Sequence, residues 1–285
     1  RFWRYMAMIN LYDEVCNECS KITAEHYSTS FSRAIKLLHK DLRIPVYSIY
    51  GFVRFADEIV DTFHQFNKQE LLQEFKLATY KALKDGISLN PVLNSFQNTV
   101  IKYSIETQLI DAFFNSMEQD LTASKYNHDA YRQYIYGSAE VVGLMCLSVF
   151  CEGNTEKFLQ LKNAAQSLGA AFQKVNFLRD VQNDYKNLNR MYFPGVDFQN
   201  FTREEKLKVE DEITADFSHA YHGILLLPVK ARFGVYVAYH YYMSLFKKIK
   251  KSNPEKLLQS RIRIPNYSKA LIVVSAGLKK QFNLL

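Results

Sequence analysis

Apolar residues along the chain recur mostly at three- and four-residue spacing, the period of an α-helix, and strand-like alternation between turn signals is missing. Glycine and proline are sparse, 10 and 6 in 285 residues, so few points interrupt the pattern. Breaks fall near residues 41–45, 85–91, 125–128, 152–154, 187–200, 251–254 and 264–266. Between them the spacing predicts helices of ordinary to long length. The first covers about residues 11–27, the next about 45–63, and a long aromatic-rich region covers 217–251 with a bend at Pro228. No repeat, low-complexity tract or linker divides the chain, which predicts a single all-α domain over residues 1–285. Residues 1–10 lack an initiator Met and a signal-peptide apolar core, and are expected to be a poorly ordered, artificial or trimmed end.

Two of these helices carry polar residues where apolar ones are expected. In residues 173–194, QKVNFLRDVQNDYKNLNRMYFP, helical spacing places Gln173, Asn176, Asp180 and Asp184 on one stripe. Val175, Leu178 and Val181 lie off it, and the flanking runs LGAAF and MYFP are apolar, so the acidic stripe is expected to line an internal cavity. Arg179 sits beside the stripe and Arg190 just beyond it. In the 45–63 helix, Tyr50, Arg54, Asp57 and Asp61 follow an i, i+4, i+7, i+11 spacing and share one narrow face. Ile49, Phe52, Val53, Ala56, Ile59 and Val60 fill much of the remainder.

A single D-x-x-x-D on a helix reads as a solvated face. Two of them, both on mostly apolar helices and both with an arginine nearby, point to a shared site for metal ions and an anion. Hard divalent cations such as magnesium take oxygen ligands and bridge carboxylates to substrate phosphates, while arginines bind the remaining phosphate oxygens. Departure of diphosphate from an allylic carbon needs both, together with apolar and aromatic walls around the cation left behind. Nucleophilic catalysis has no comparable support, because no His or Cys sits in a convincing dyad and no glycine-rich nucleotide loop is present.

Composition narrows the partners. A hydrophobic content of 48% with 23% charged residues is globular, and 21 Phe and 19 Tyr supply core and walls alike. Among the late tyrosines, Tyr236, Tyr239, Tyr241 and Tyr242 cannot all face one way, so most belong to the core. The net charge of +7 favours an anionic partner. Basic residues are scattered apart from the KKIKK run at 247–251, and no nucleic-acid module is visible, so nucleic acid is not the expected partner. Cys16 and Cys19 form a lone C-x-x-C without a completing metal pair, and Cys146 and Cys151 lie in an apolar run. All four read as reduced thiols of a cytosolic protein. The longest apolar runs, 141–151 and 271–278, are too short to span a bilayer. Ser28 and Ser30, just before and after Thr29, serve either as a helix cap or as phosphate contacts. Gly137, Ser138, Ala139 and Gly143 allow either close helix approach or room for a long ligand.

Five stretches together resemble the squalene and phytoene synthase family of head-to-head prenyl transferases: HYSTSF (26–31), SIYGFVRFADEIVD (48–61), YGSAEVVGLM (136–145), LGAAFQKVNFLRDVQNDY (168–185) and NRMYFPGVD (189–197). The resemblance runs from about residue 25 to 197, with a weaker match to about 280. It implies an isoprenoid-synthase-type helical bundle around a central cavity. It further implies that Asp57, Asp61, Asp180 and Asp184 bind magnesium, or manganese in its place. Ser28, Ser30, Arg54, Arg179 and Arg190 would contact diphosphate, directly or through metal. Tyr27, Tyr50, Gln173, Asn176, Tyr192, Tyr242 and Arg261 would complete the substrate-binding shell, with Tyr50 and Arg54 close to the chemistry. The implied reaction couples two geranylgeranyl diphosphates through a cyclopropylcarbinyl diphosphate, prephytoene diphosphate, to phytoene, as in carotenoid biosynthesis.

Two departures fall in the last stretch. Asn189 stands where the family usually has glycine, and the spacing from Asp184 to Arg190 is one residue longer than in many members. Asn tolerates the left-handed turn conformation that glycine adopts, so Arg190 is still expected to reach the site. Alternatives within the resemblance are a dehydrosqualene or squalene synthase using farnesyl diphosphate, or a catalytically silent assembly subunit. No dinucleotide fingerprint and no C-terminal anchor are visible, so the NADPH-dependent squalene version is not expected. A long hydrocarbon product must leave for a membrane, which implies peripheral lipid contact.

Overall fold

The helical periodicity is realised along nearly the whole chain in a computed structural model. It describes the backbone of residues 2–122, 126–187, 191–196 and 201–281, and the side chains of 10–122, 126–182, 191–196 and 201–280. The helices in order are α1 (Phe2–Tyr27), α2 (Thr29–Lys36), α3 (Lys40–Asp61), α4 (Lys68–Asp85), α5 (Pro91–Lys102), α6 (Thr107–Thr122) and α7 (His128–Ile135). A π-helical turn (Tyr136–Glu140) joins α7 to α8 (Val141–Cys151). Then come α9 (Thr155–Asn187), α10 (Arg203–Leu226), α11 (Val229–Lys250), α12 (Pro254–Gln259) and α13 (Asn266–Gln281).

Local chemistry accounts for most of the ends. Ser28, Asn67, Asn90 and Asn127 cap α2, α4, α5 and α7 through side-chain oxygens that accept backbone N–H groups. Thr202 and Glu205 form a reciprocal capping box at α10. Gly86, at φ 69°, ends α4 in the left-handed region.

Four boundaries differ from the periodicity. Helix α1 begins at Phe2 rather than near residue 11, so it runs through residues 2–10. Helix α3 begins at Lys40, and Pro45 lies within its second turn. Proline there removes one early hydrogen bond and does not break the helix. The break falls instead at residues 37–39, where the His39 N–H donates to the Lys230 carbonyl at 2.8 Å. A further break separates α5 from α6, with Ser104 at φ 51°. Pro228 does not bend one long helix; it separates two. Proline pushes its predecessor out of the helical region, and Leu227 is extended at ψ 149°.

The central layer is the helix His128–Cys151, continuous over 24 residues through its π-turn. It is longer than the apolar run 141–151 because the turn carries the helix across Gly137 without a stop. By length and composition it passes for a membrane span, yet 61% of its apolar window is buried within the bundle. Leu144, Met145, Leu147 and Val149 are in the core. Close approach explains its small residues: a Cβ on Gly137 would lie 2.4 Å from the Ala112 carbonyl oxygen, and one on Gly143 would lie 2.8 Å from that of Ala165. Behind α3, Phe52 stacks on Phe96 with centroids 3.9 Å apart and meets Phe113 and Phe114 at 5.2 and 5.6 Å. This knot fixes the apolar face of α3 and turns its acidic face the other way. All four cysteines are free thiols.

Helix α9 is clamped to α10 by Lys174, only 6% exposed, which pairs with Asp216 at 2.7 Å and with Glu212. Lys174→Met strands a partly buried carboxylate and is expected to cost about 2 kcal/mol, the scale of a lost hydrogen bond to a charged group. Urea unfolding of the variant measures it, and an unchanged midpoint would show that the pair contributes nothing.

Candidate active site

Helices α3 and α9 face each other across a cavity of about 990 Å³. The α3 wall supplies Tyr50, Arg54, Asp57 and Asp61, all on the face opposite the phenylalanine knot. The α9 wall supplies Gln173, Asn176, Arg179 and Asp180. Tyr27 and Ser28 enter from the α1–α2 junction, Tyr192 from the segment after α9, Tyr242 from α11 and Arg261 from the loop before α13. Two residues far apart in sequence, Asp57 and Asp180, are thus brought to one space.

Ser28 is both things the sequence allowed. Its hydroxyl accepts the Phe31 N–H at 3.2 Å as the α2 cap, and it also lines the cavity. Ser30 is not among the lining residues. Two helical positions beyond the cap correspond to a rotation of roughly 200°, which carries its hydroxyl away. Asp184 lies on α9, but its side chain falls outside the described residues, as does all of Arg190.

The electrostatics are those of a site short of positive charge on one wall. Burial, and then the neighbouring Asp61 carboxylate, push the Asp57 pKa up to about 7; Arg54 opposes this and Asp120 adds to it. Arg54 pairs with Glu58 and lies over the Tyr27 ring at 4.3 Å. On the other wall, Arg179 Nε donates to both Asp180 carboxylate oxygens at 3.1 and 3.0 Å, and Arg261 Nε reaches the same carboxylate at 2.8 Å. The Tyr242 hydroxyl donates to Asn176 Oδ1 at 3.2 Å and holds the amide toward the cavity. Burial raises the Tyr50 pKa, so its hydroxyl keeps its proton at neutral pH.

Rings close the space around these groups. Phe172 stacks on Tyr242 at 3.9 Å, and Phe31 meets Phe172, Tyr242 and Tyr50 at 5.9, 5.6 and 6.1 Å. On the far side Phe177 stacks on Tyr192 at 3.9 Å, with Tyr134 5.1 Å from Tyr192. The rest of the lining is mostly apolar and mixes large side chains such as Leu38, Ile49 and Phe150 with small ones such as Ala34, Ala165 and Ala238.

Asp120 on α6 is a lining residue that the two-motif pattern did not single out. It is 8% exposed and accepts the Tyr134 hydroxyl at 2.7 Å and the Tyr192 hydroxyl at 3.4 Å. A signal was present, since Asp120 continues the i, i+4, i+7 spacing of the apolar face through Phe113 and Met117. Thr62, His64 and Gln182 also reach the lining.

Among the described residues no three or more His, Cys, Asp or Glu side chains converge on one metal position. The described donors are the carboxylates of Asp57 and Asp61 on α3 and of Asp180 on α9, hard oxygens of the kind that bind divalent cations alongside water and phosphate.

A family model described as squalene/phytoene synthase matches residues 24–268. The chain is 30% identical over 190 residues to a chloroplastic phytoene synthase of an Oncidium hybrid cultivar, covering 65% of this chain and 45% of that one. It is 26% identical over 289 residues to the phytoene synthase of Arthrospira platensis, covering 92% of each. With the 4,4'-diapophytoene synthase of Staphylococcus haemolyticus it shares 25% over 205 residues, covering 70% of this chain and 67% of that one. The match thus spans about half the length of the chloroplastic relative. The fold superimposes on a dehydrosqualene synthase solved with a ligand, with a TM-score of 0.79 at 19% identity, covering 94% and 98% of the two chains.

Proposed function

This chain belongs to the squalene/phytoene synthase family, and on that premise we propose that it condenses two geranylgeranyl diphosphates head to head, through prephytoene diphosphate, to phytoene. The observation that carries the reading is that Asp57 and Asp61 of α3 and Asp180 of α9 line one cavity together with Arg54, Arg179 and Arg261, among walls that are largely apolar and aromatic.

The aspartates are the residues to hold magnesium, or manganese in its place: Asp57 and Asp61 on one wall, Asp180 with Asp184 on the other. When bound, the metal supplies Lewis-acid stabilisation of the departing diphosphate. The raised Asp57 pKa supports this assignment, because a desolvated carboxylate beside a second one gains most from a cation.

Arg54, Arg179 and Arg261 surround the same end and offer forked donors to the non-bridging phosphate oxygens. Ser28 and the protonated Tyr50 hydroxyl add neutral donors that orient the diphosphate without adding charge. Once the allylic cation forms, its fate depends on what touches it. The Phe31 and Phe172 rings present π faces and edges and no nucleophile, the Tyr242 hydroxyl is bonded to Asn176, and the apolar lining keeps water away while the second chain adds. The coupled intermediate keeps one diphosphate, so the same arginines and aspartates serve the second ionisation. Proton loss then ends the reaction without a reductant, and NADPH is not required.

The volume supports the longer substrate. About 990 Å³ lies at the upper end of the roughly 300–1,000 Å³ of small-molecule sites. A second reading, condensation of two farnesyl diphosphates to dehydrosqualene, is favoured by the likeness to the staphylococcal relative and to the ligand-bound dehydrosqualene synthase. Incubation with magnesium and either prenyl diphosphate, with and without NADPH, separates them by product mass. The expected product is phytoene from geranylgeranyl diphosphate, independent of NADPH. Hydrocarbon from farnesyl diphosphate alone would favour the second reading, and no product from either would leave a catalytically silent family member.

A further inference from the structure

Helix α13 is apolar on two sides. Its inner side, Ile272, Val273 and Ala276, packs against the body of the protein. Its outer side carries Tyr267, Leu271, Val274 and Leu278, which are 70, 65, 60 and 52% exposed. Their i, i+4, i+7, i+11 spacing makes one continuous stripe along the helix. Singly scattered exposed apolar residues need no explanation, whereas an aligned row does.

The surrounding charge selects what covers it. From Lys256 to the end of the chain there are six basic residues, Lys256, Arg261, Arg263, Lys269, Lys279 and Lys280, and no acidic one. Lys279 and Lys280 close the stripe at its end, their stems running back over α11 with Lys279 Nζ 3.2 Å from the Tyr236 hydroxyl and Lys280 Nζ 4.8 Å from the Phe233 ring centroid. Apolar side chains bounded by long cationic ones suit an interface where tails enter hydrocarbon and ammonium groups stay at headgroup level.

Position gives the helix a reason to be there. Lys269 Nζ donates to Thr29 Oγ1 at 3.0 Å, which sets the first turns of α13 beside Tyr27, a cavity-lining residue that is 49% exposed. Arg261, also cavity-lining, leads directly into the helix. The rim of the cavity and the apolar stripe are therefore neighbours.

We propose that the outer face of α13 docks on an anionic lipid bilayer and holds the cavity rim against it, so that long apolar chains pass between the cavity and the membrane without crossing water. The surface follows from exposure and charge. Its purpose rests on the hydrocarbon-forming reading above.

Flotation of the full chain with vesicles of phosphatidylcholine mixed with phosphatidylglycerol tests it, alongside vesicles of phosphatidylcholine alone. The parent is expected to float with the anionic vesicles, less with the neutral ones and less in high salt. The double variant Leu271→Glu/Val274→Glu places acidic groups in the stripe and is expected to lose about tenfold in vesicle partitioning, with unchanged helical CD and unchanged turnover of micelle-dispersed substrate. Equal flotation of parent and variant, or of anionic and neutral vesicles, or none of the parent, would overturn the proposal. So would a parent dimer in sizing that the variant dissociates, because the face would then be a self-interface. A parent that floats as described yet forms no product contradicts the enzymatic reading and leaves the docking surface standing.

Discussion

Asp57→Asn is expected to abolish turnover, with kcat reduced by roughly 10²–10³-fold or more, the scale seen when one group that stabilises developing charge is removed, while the protein stays folded. Asn matches Asp in size, so packing on α3 is undisturbed; what is lost is the negative charge. That charge is costly in the folded protein without a cation beside it. Burial and Asp61 raise the Asp57 pKa from 3.8 to about 7, so the native state holds a proton that the unfolded chain releases earlier. The sign follows from linkage: where the native state binds more protons, stability falls as pH rises. For this group the fall is confined to the window between 3.8 and about 7. It amounts to no more than about 4 kcal/mol above that window. In chelator, the Asn variant is therefore expected to be at least as stable as the parent at pH 8, with the advantage shrinking toward pH 5. Thermal melts of both proteins at the two pH values measure it. A variant less stable than the parent at pH 8 would mean that the carboxylate is well solvated or paired, and the case for a cation at this wall would weaken. Loss of activity together with gain of stability is the pattern of a group placed for chemistry and not for folding.

Gly169→Val is expected to be among the most damaging changes away from the charged groups. A Cβ at this position on α9 would meet the Ala139 carbonyl oxygen at 2.6 Å, its carbon at 3.0 Å and the Glu140 Cα at 3.2 Å. All three belong to the backbone of the π-turn, which cannot move aside as a side-chain tip would. Overpacking of this kind costs about 3 kcal/mol, a drop in Tm of roughly 5–10 °C for a chain of this size. Activity should fall as well, because Ala139 lines the cavity and Gln173, one turn on from Gly169, lines it too. Gly169→Ala sharpens the test. Helix propensity alone favours Ala by about 1 kcal/mol, so a stabilised Ala variant would show that the two backbones do not touch. A destabilised one isolates the clash from the size of the Val side chain.

Much of this site is legible in the sequence because it obeys helical spacing. Tyr50, Arg54, Asp57 and Asp61 share a face of α3 for the same reason that Gln173, Asn176 and Asp180 share one of α9, and a helix keeps such faces whatever surrounds it. Pairing the two faces needs chemistry, since paired carboxylates on apolar helices have few other uses. What spacing alone does not supply is tertiary. The break at residues 37–39 contains neither glycine nor proline and depends on His39 bonding to a carbonyl of α11. Pro45 reads as a boundary, but α3 starts at Lys40 and runs through it, giving up one hydrogen bond in its second turn. Pro228 reads as a bend, but the extended Leu227 before it divides the chain. The hydroxyl pair Ser28 and Ser30 is separated only by the cap, which fixes one of them and turns the other away. Asp120 is hidden differently, as one acidic residue in an apolar series with no partner motif. Its role emerges only when Tyr134 and Tyr192 converge on it from other segments.

On the proposed function, one cavity couples two allylic diphosphates and does not merely hydrolyse or bind them. The most direct measurement is the ratio of diphosphate released to hydrocarbon formed, with geranylgeranyl diphosphate and magnesium, in the parent and in Asp57→Asn. Head-to-head coupling predicts two diphosphates for each molecule of phytoene, with both signals lost together in the variant. Diphosphate released with geranylgeranyl alcohol and no coupled hydrocarbon, or a variant that still forms phytoene at the parent's rate, would contradict the account.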